Sequence, residues 1–143
     1  MDMGGKRHIR ALLDTSVLLS AARGPLIALA TNRAYTIVWS EFMAQELRRK
    51  LKEIGWNPRN ASAILNAMET LAETADHEQI VGGNYDVWLK DLDDHPVMAT
   101  ALAGQVDYLV TWNVKDFPPK KRFAGVTIIT PDAFLRLFDT AQQ

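Results

Sequence analysis

The stretch 91–118, DLDDHPVMATALAGQVDYLVTWNVKDFP, decides the fold. It opens on acids, runs through an alanine-rich segment, passes into VDYLVT and ends in a polar loop. Asp94 stands ahead of the apolar positions Val97, Ala101 and Leu102, with Pro96 inside the first turn, so a helix is expected from the acids to Gly104. Residues 106–111 are rich in β-branched and aromatic side chains and read as a strand. A helix that feeds a strand is one half of an alternating pattern, and the flanking sequence supplies the other half.

Towards the amino end, residues 35–39 (YTIVW) form a second β-branched and aromatic run. Ser40 then caps a helix to about Ile54, the sequence GWNP at 55–58 makes a turn, and 59–76 carries alanine, leucine and isoleucine at helical spacing. Residues 79–84 read as a short strand ending in Gly82-Gly83. Residues 8–13 (HIRALL) read as a buried strand ended by Asp14-Thr15-Ser16, and 18–30 as a helix broken or restarted at Gly24-Pro25. Towards the carboxyl end, 126–129 (VTII) is a strand, and Thr130-Pro131-Asp132 starts a last helix to about Phe138. Such alternation predicts an α/β fold, a three-layer α/β/α sandwich with a parallel sheet of four to five strands. In sheets of that kind ligands sit at the carboxyl ends of the strands, so the polar residues just after each strand matter most.

A chain of 143 residues suits one compact domain, 1–143. With 48% hydrophobic and 23% charged residues it can build a core, which excludes disorder. No apolar run approaches the roughly 20 residues of a membrane span, and the opening MDMGGKRHIRALL is too short for a secretory signal. There is no cysteine, so disulfides, zinc–thiolate sites and thiol nucleophiles are excluded. These features fit a cytoplasmic protein. The formal net charge of −1 weighs mildly against nucleic acid as a partner, so any such surface must be a local patch.

Four acidic positions follow strands. Asp14 comes directly after RALL, with Thr15 and Ser16 beside it as hydroxyl ligands or supporting donors; the plain alternative is an Asx-turn or helix cap. Glu46 lies on the helix SEFMAQELRRKLKEI, about 100° from the stripe Met43, Leu47, Leu51 and Ile54 by helical geometry, with Lys50 as its ordinary partner. Asp93 and Asp94 form the third position, where the plain alternative is an N-cap; crowded carboxylates call for a cation or a proton. The fourth is TWNVKDF, in which Thr111, Asn113 and Asp116 all offer oxygen. Together the oxygen-only set suits Mg2+ or Mn2+ rather than zinc, and such ions support phosphodiester cleavage. His8, His77 and His95 are scattered, and structural or surface roles account for them.

The segments LLDTSVLLSA, WSEFMAQEL and DLDDHPVMATALAGQVDYLVTWNVKDFP resemble the PIN domain family, most of all its bacterial members described as VapC-like toxins of toxin–antitoxin pairs. The likeness runs from about Arg10 to Phe138, and the T-x-N-x-K-D-F ending is its most specific part. The resemblance implies a Rossmann-like sandwich and a Mg2+- or Mn2+-dependent endoribonuclease. By position it implies Asp14, Glu46 and Asp94 as catalytic metal ligands. The fourth ligand falls on Asn113 or Asp116, because the family's usual aspartate is Asn113 here. It also implies Ser16, Thr111 and Asp93 as supporting groups, an antitoxin partner and a homodimer.

RNA needs positive charge along its path. Lys115, Lys120, Lys121 and Arg122, partly on a loop stiffened by Pro118-Pro119, are one candidate, and Arg48, Arg49 and Lys52 a weaker one. Ile64, Leu65, Met68, Leu71, Trp56 and Trp88 read as core, with a dimer face or an antitoxin groove as the alternative. Two rival functions remain at this level. One is a metal-dependent phosphatase, which DTSVL fits poorly because it lacks the second aspartate of haloacid-dehalogenase-like enzymes. The other is a PIN-fold binding module without catalysis, to which Asn113 gives some weight.

Overall fold

The computed structural model describes residues 8–76, 95–113, 122–123 and 125–139. Strand β1 (Arg10–Leu13) leads through Asp14 into a short helix α1 (Thr15–Leu18) and then α2 (Arg23–Thr31). Strand β2 (Thr36–Trp39) is followed by α3 (Glu41–Glu53), α4 (Pro58–Leu71) and strand β3 (Glu73–Thr74). Helix α5 (His95–Ala103) feeds β4 (Tyr108–Val110); β5 (Arg122–Phe123), β6 (Val126–Ile129) and α6 (Pro131–Asp139) close the described chain.

The strands form one sheet in the order β3-β2-β1-β4-β6-β5. Five of them are parallel, the upper end of the range expected from the sequence. Strand β5 adds an antiparallel edge that the sequence pattern did not announce, with Arg122 opposite Thr127. From β1 the chain winds one way to β2 and β3 and then returns to the other side for β4. The direction therefore reverses between β1 and β4, and it is at the carboxyl ends of strands that flank such a switch point that sheets of this kind hold ligands.

Side-chain parity fixes the layers. Val38, Leu12 and Leu109 are successive partners across β2, β1 and β4, so they share a face. A methyl group built on Gly104, just past α5, would stand 2.5 Å from Val38 Cγ1, so α5 covers that face and only glycine admits so close an approach. Tyr108 points the opposite way and meets Phe134 of α6 edge to face, with ring centroids 5.5 Å apart. The chain is thus the three-layer α/β/α sandwich. Phe134 is fully buried between Tyr35, Tyr108 and Phe138. Burial pushes the Tyr35 phenol above its ordinary pKa, and its hydroxyl donates to the Leu26 carbonyl at 2.8 Å.

Several local readings change. The expected helix 18–30 is two helices. The break falls at 19–22, while Gly24 and Pro25 sit in the first turn of α2, where a missing N–H does no harm. The helix expected to reach 76 stops at Leu71, because Ala72 turns extended and Glu73–Thr74 pair with β2. Edge pairing outweighs the helical propensity of that segment. Ile54 leaves the core stripe: it caps α3 beyond its last turn and is 52% exposed. The strand expected at 79–84 lies outside the described residues, as does Trp88.

Candidate active site

Ser40, Asp14 and Thr111 follow directly on the carboxyl ends of the adjacent strands β2, β1 and β4. Asp14 is both a cap and a hub. Its Oδ1 accepts from the Thr15 N–H at 2.9 Å, which starts α1. Its Oδ2 accepts from the Ser16 hydroxyl at 3.0 Å and from the buried Thr111 hydroxyl at 2.8 Å, across 97 residues of sequence. The Leu13–Val110 pairing of β1 with β4 makes that last contact possible.

Glu46 reaches the same place from α3. Ser40 starts this helix, accepting from the Met43 N–H at 3.4 Å. Met43, Leu47 and Leu51 bury one stripe of it. Glu46 is half-buried at the edge of that stripe, and its Oε2 accepts from the Thr15 hydroxyl at 3.0 Å. Thr15 therefore binds both carboxylates, Asp14 through its N–H and Glu46 through its hydroxyl. Among the described residues no ion pair joins Glu46 to Lys50, the ordinary partner on a bare helix.

A buried hydroxyl pair ties α3 to α5. The Thr100 and Ser40 hydroxyls share a hydrogen bond of 2.8 Å, and both side chains are almost fully enclosed. Helix α5 is described from His95 onward, the residue after Asp94. Sequence reading passed over this pair; the signal was a lone threonine on an alanine-rich apolar helix.

The remaining expected residues divide in two. Asn113 is exposed just past Thr111, and its backbone N–H donates to Thr111 Oγ1 at 2.9 Å. Arg122 falls in β5. Asp93, Asp94, Lys115, Asp116, Lys120 and Lys121 lie outside the described residues. The weaker basic candidate is engaged elsewhere: Arg48 lies 3.8 Å from both Glu41 and Glu69, and Arg49 pairs with Glu53 at 2.9 Å.

Among the described residues no three His, Cys, Asp or Glu groups cluster to hold a metal ion. Two carboxylates do meet on Thr15, and among the described residues neither forms an ion pair with a basic side chain. An ionised carboxylate offers about four lone-pair positions; Glu46 uses one of them on Thr15 among the described residues. The donors are hard oxygens throughout, which fits a hard divalent cation and not a soft one.

A three-layer sandwich around a mostly parallel sheet, with two carboxylates and several hydroxyls gathered where its strand order reverses, defines the class: an α/β domain with an acidic cluster at the carboxyl ends of β1 and β4. A family model described as the PIN domain matches residues 10–115, and the chain belongs to that family. The fold is of the nuclease type; PIN domains are typically nucleases, and these generally use divalent metals. The crystal structure of PAE2754 from Pyrobaculum aerophilum is similar, with a TM-score of 0.60 at 16% identity over 96% of this chain and 94% of that one. At that identity the likeness shows the fold alone. No curated protein matches the chain.

Proposed function

We propose that the protein is a Mg2+- or Mn2+-dependent endoribonuclease, the toxin component of a toxin–antitoxin pair. One observation carries the catalytic part: Thr15 brings together Asp14 and Glu46, which sit 32 apart by numbering, while Thr111 reaches Asp14 from β4. Asp14 and Glu46 bind the cation, joined by Asp94 and by Asn113 or Asp116. Ser16, Thr111 and the Thr15 N–H hold the Asp14 carboxylate in one orientation, with Asp93 adding negative charge beside Asp94. Bound magnesium or manganese supplies charge neutralisation at the phosphate and a more acidic water. Lys115, Lys120, Lys121 and Arg122 meet the flanking phosphates. The toxin role, an antitoxin partner, a homodimer and a cytoplasmic location rest on the likeness to VapC-like proteins; among the described residues no helix is long and apolar enough to cross a membrane.

The test is cleavage of an oligoribonucleotide with magnesium or manganese, set against a chelator and against Asp14→Asn. Chelation abolishes cleavage, and Asp14→Asn lowers it on the order of 10³-fold or more while circular dichroism stays unchanged. Cleavage that survives both defeats the proposal.

A further inference from the structure

We propose that Trp112 is a stacking platform for a base of the RNA, one that lies beside the phosphate handled at Asp14; this rests on the ribonuclease reading above. Trp112 is 41% exposed, and it is the one aromatic side chain among the exposed large apolar residues that are described. A ring of that size left in water gains by being covered. Its position says what covers it. It directly follows Thr111, whose hydroxyl binds Asp14 Oδ2. Its backbone N–H donates to Ser16 Oγ at the long distance of 3.4 Å, and Ser16 in turn donates to Asp14.

The ring is also held through its own nitrogen. The indole N–H donates to Ser20 Oγ at 3.1 Å. Ser20 is itself fixed, donating to the Val17 carbonyl at 2.7 Å and accepting from the Ala22 N–H at 3.2 Å. The one polar atom of the indole is therefore satisfied, and the rest of the ring is apolar π surface. Every base has such a face, so stacking on it tolerates any sequence. A base in a duplex is already stacked on its neighbours and is not free to take up the position.

A cation stands at the same turn. The Arg23 N–H donates to the Ser20 carbonyl at 3.2 Å. The Arg23 guanidinium lies 4.9 Å from the Trp56 ring centroid and donates to the Leu18 carbonyl at 2.8 Å. Through Ser20 the Trp112 ring and the Arg23–Trp56 pair share one turn, and aromatic surface with positive charge nearby is the combination that single-stranded nucleic acid uses. That pairing favours RNA over a protein partner as the ligand of the ring.

The experiment measures binding in Asp14→Asn protein, which does not cleave, by anisotropy of a labelled mixed-sequence single-stranded oligoribonucleotide and of its duplex. Adding Trp112→Ala weakens single-strand binding roughly tenfold and removes the preference over duplex. Trp112→Phe restores most of the loss and Trp112→Leu does not, with melting curves confirming the fold of each. Undiminished single-strand binding in Trp112→Ala, or equal rescue by leucine, overturns the inference and leaves the ring as a protein docking point. The two readings fail separately. Binding through Trp112 without cleavage by the unmodified protein sinks only the ribonuclease. Cleavage with an unchanged KM in Trp112→Ala sinks only the platform.

Discussion

The two ends of the central strand β1 handle charge in opposite ways. At the amino end, Arg10 donates to both oxygens of Glu73 at 3.0 and 2.9 Å and twice to the Gly104 carbonyl, at 3.1 and 2.8 Å. Its backbone N–H donates to Asp107 at 2.9 Å. One guanidinium thereby ties β1 to β3 and to the end of α5, and the charges cancel locally. At the carboxyl end, Asp14 and Glu46 receive only N–H and O–H donors among the described residues. Four residues further along the same strand, negative charge is oriented rather than neutralised. A contact that serves stability satisfies itself within the fold, whereas a site for a cation stays acidic until the cation arrives.

That contrast can be broken by substitution at either end. The largest effect is expected from Thr111→Val, which keeps the shape and deletes the donor to Asp14. With Asp14 as the proposed cation ligand, loss of its support lowers cleavage by about 10–100-fold, and the melting temperature stays near that of the parent. A large drop in stability with normal activity in the surviving protein would show that Thr111 is structural instead.

Gly104→Ala should do the reverse. The added methyl group meets Val38 Cγ1 at 2.5 Å inside a closed interface, and overpacking of this sort costs about 1–3 kcal/mol. Denaturant melts would record the loss, while the folded fraction keeps its activity. Unaltered stability would mean that α5 moves off β2 more easily than its packing indicates.

The smallest effect belongs to Glu73→Gln. The hydrogen bonds from Arg10 hold the Glu73 carboxyl below the ordinary carboxylate range, opposed in part by burial and assisted by the charge of Arg10. A depressed folded pKa stabilises the protein above the unfolded value of about 4.3, and this contribution is lost as pH falls through the lower, folded value. The side chains are 27% and 58% exposed, so screening keeps the gain below about 1 kcal/mol. The variant is therefore slightly weaker than the parent at neutral pH, and the two converge in acid. A difference that grows in acid would contradict the assignment.

Much of this was legible in the sequence, and the remainder was hidden for physical reasons. Asp14 was visible because an apolar strand ends on it, and the position of Glu46 because helical geometry puts it at the edge of an apolar stripe. Thr111 as a supporting group came from the family resemblance alone, since the side-by-side order of parallel strands leaves no trace in local spacing. It depends on β4 crossing back to lie against β1. The role of Thr15 in joining two carboxylates was equally hidden: its hydroxyl could be foreseen near Asp14, but the approach of α3 could not. The end of α4 was misjudged because Glu73, Thr74 and Ala75 suit a helix locally, and only the open edge of β2 draws them into the sheet, with the Ala75 N–H on the Trp39 carbonyl at 2.9 Å.

The proposed function depends on a divalent cation binding at Asp14 and Glu46. Thermal melting with manganese, for the parent protein and Asp14→Asn side by side, tests it most directly. At a hundredfold excess over Kd, binding adds about 2.7 kcal/mol, a rise of roughly 5–10 °C for a domain of this size. The account predicts that rise in the parent and none in Asp14→Asn. An equal rise in both, or none in the parent, would contradict it.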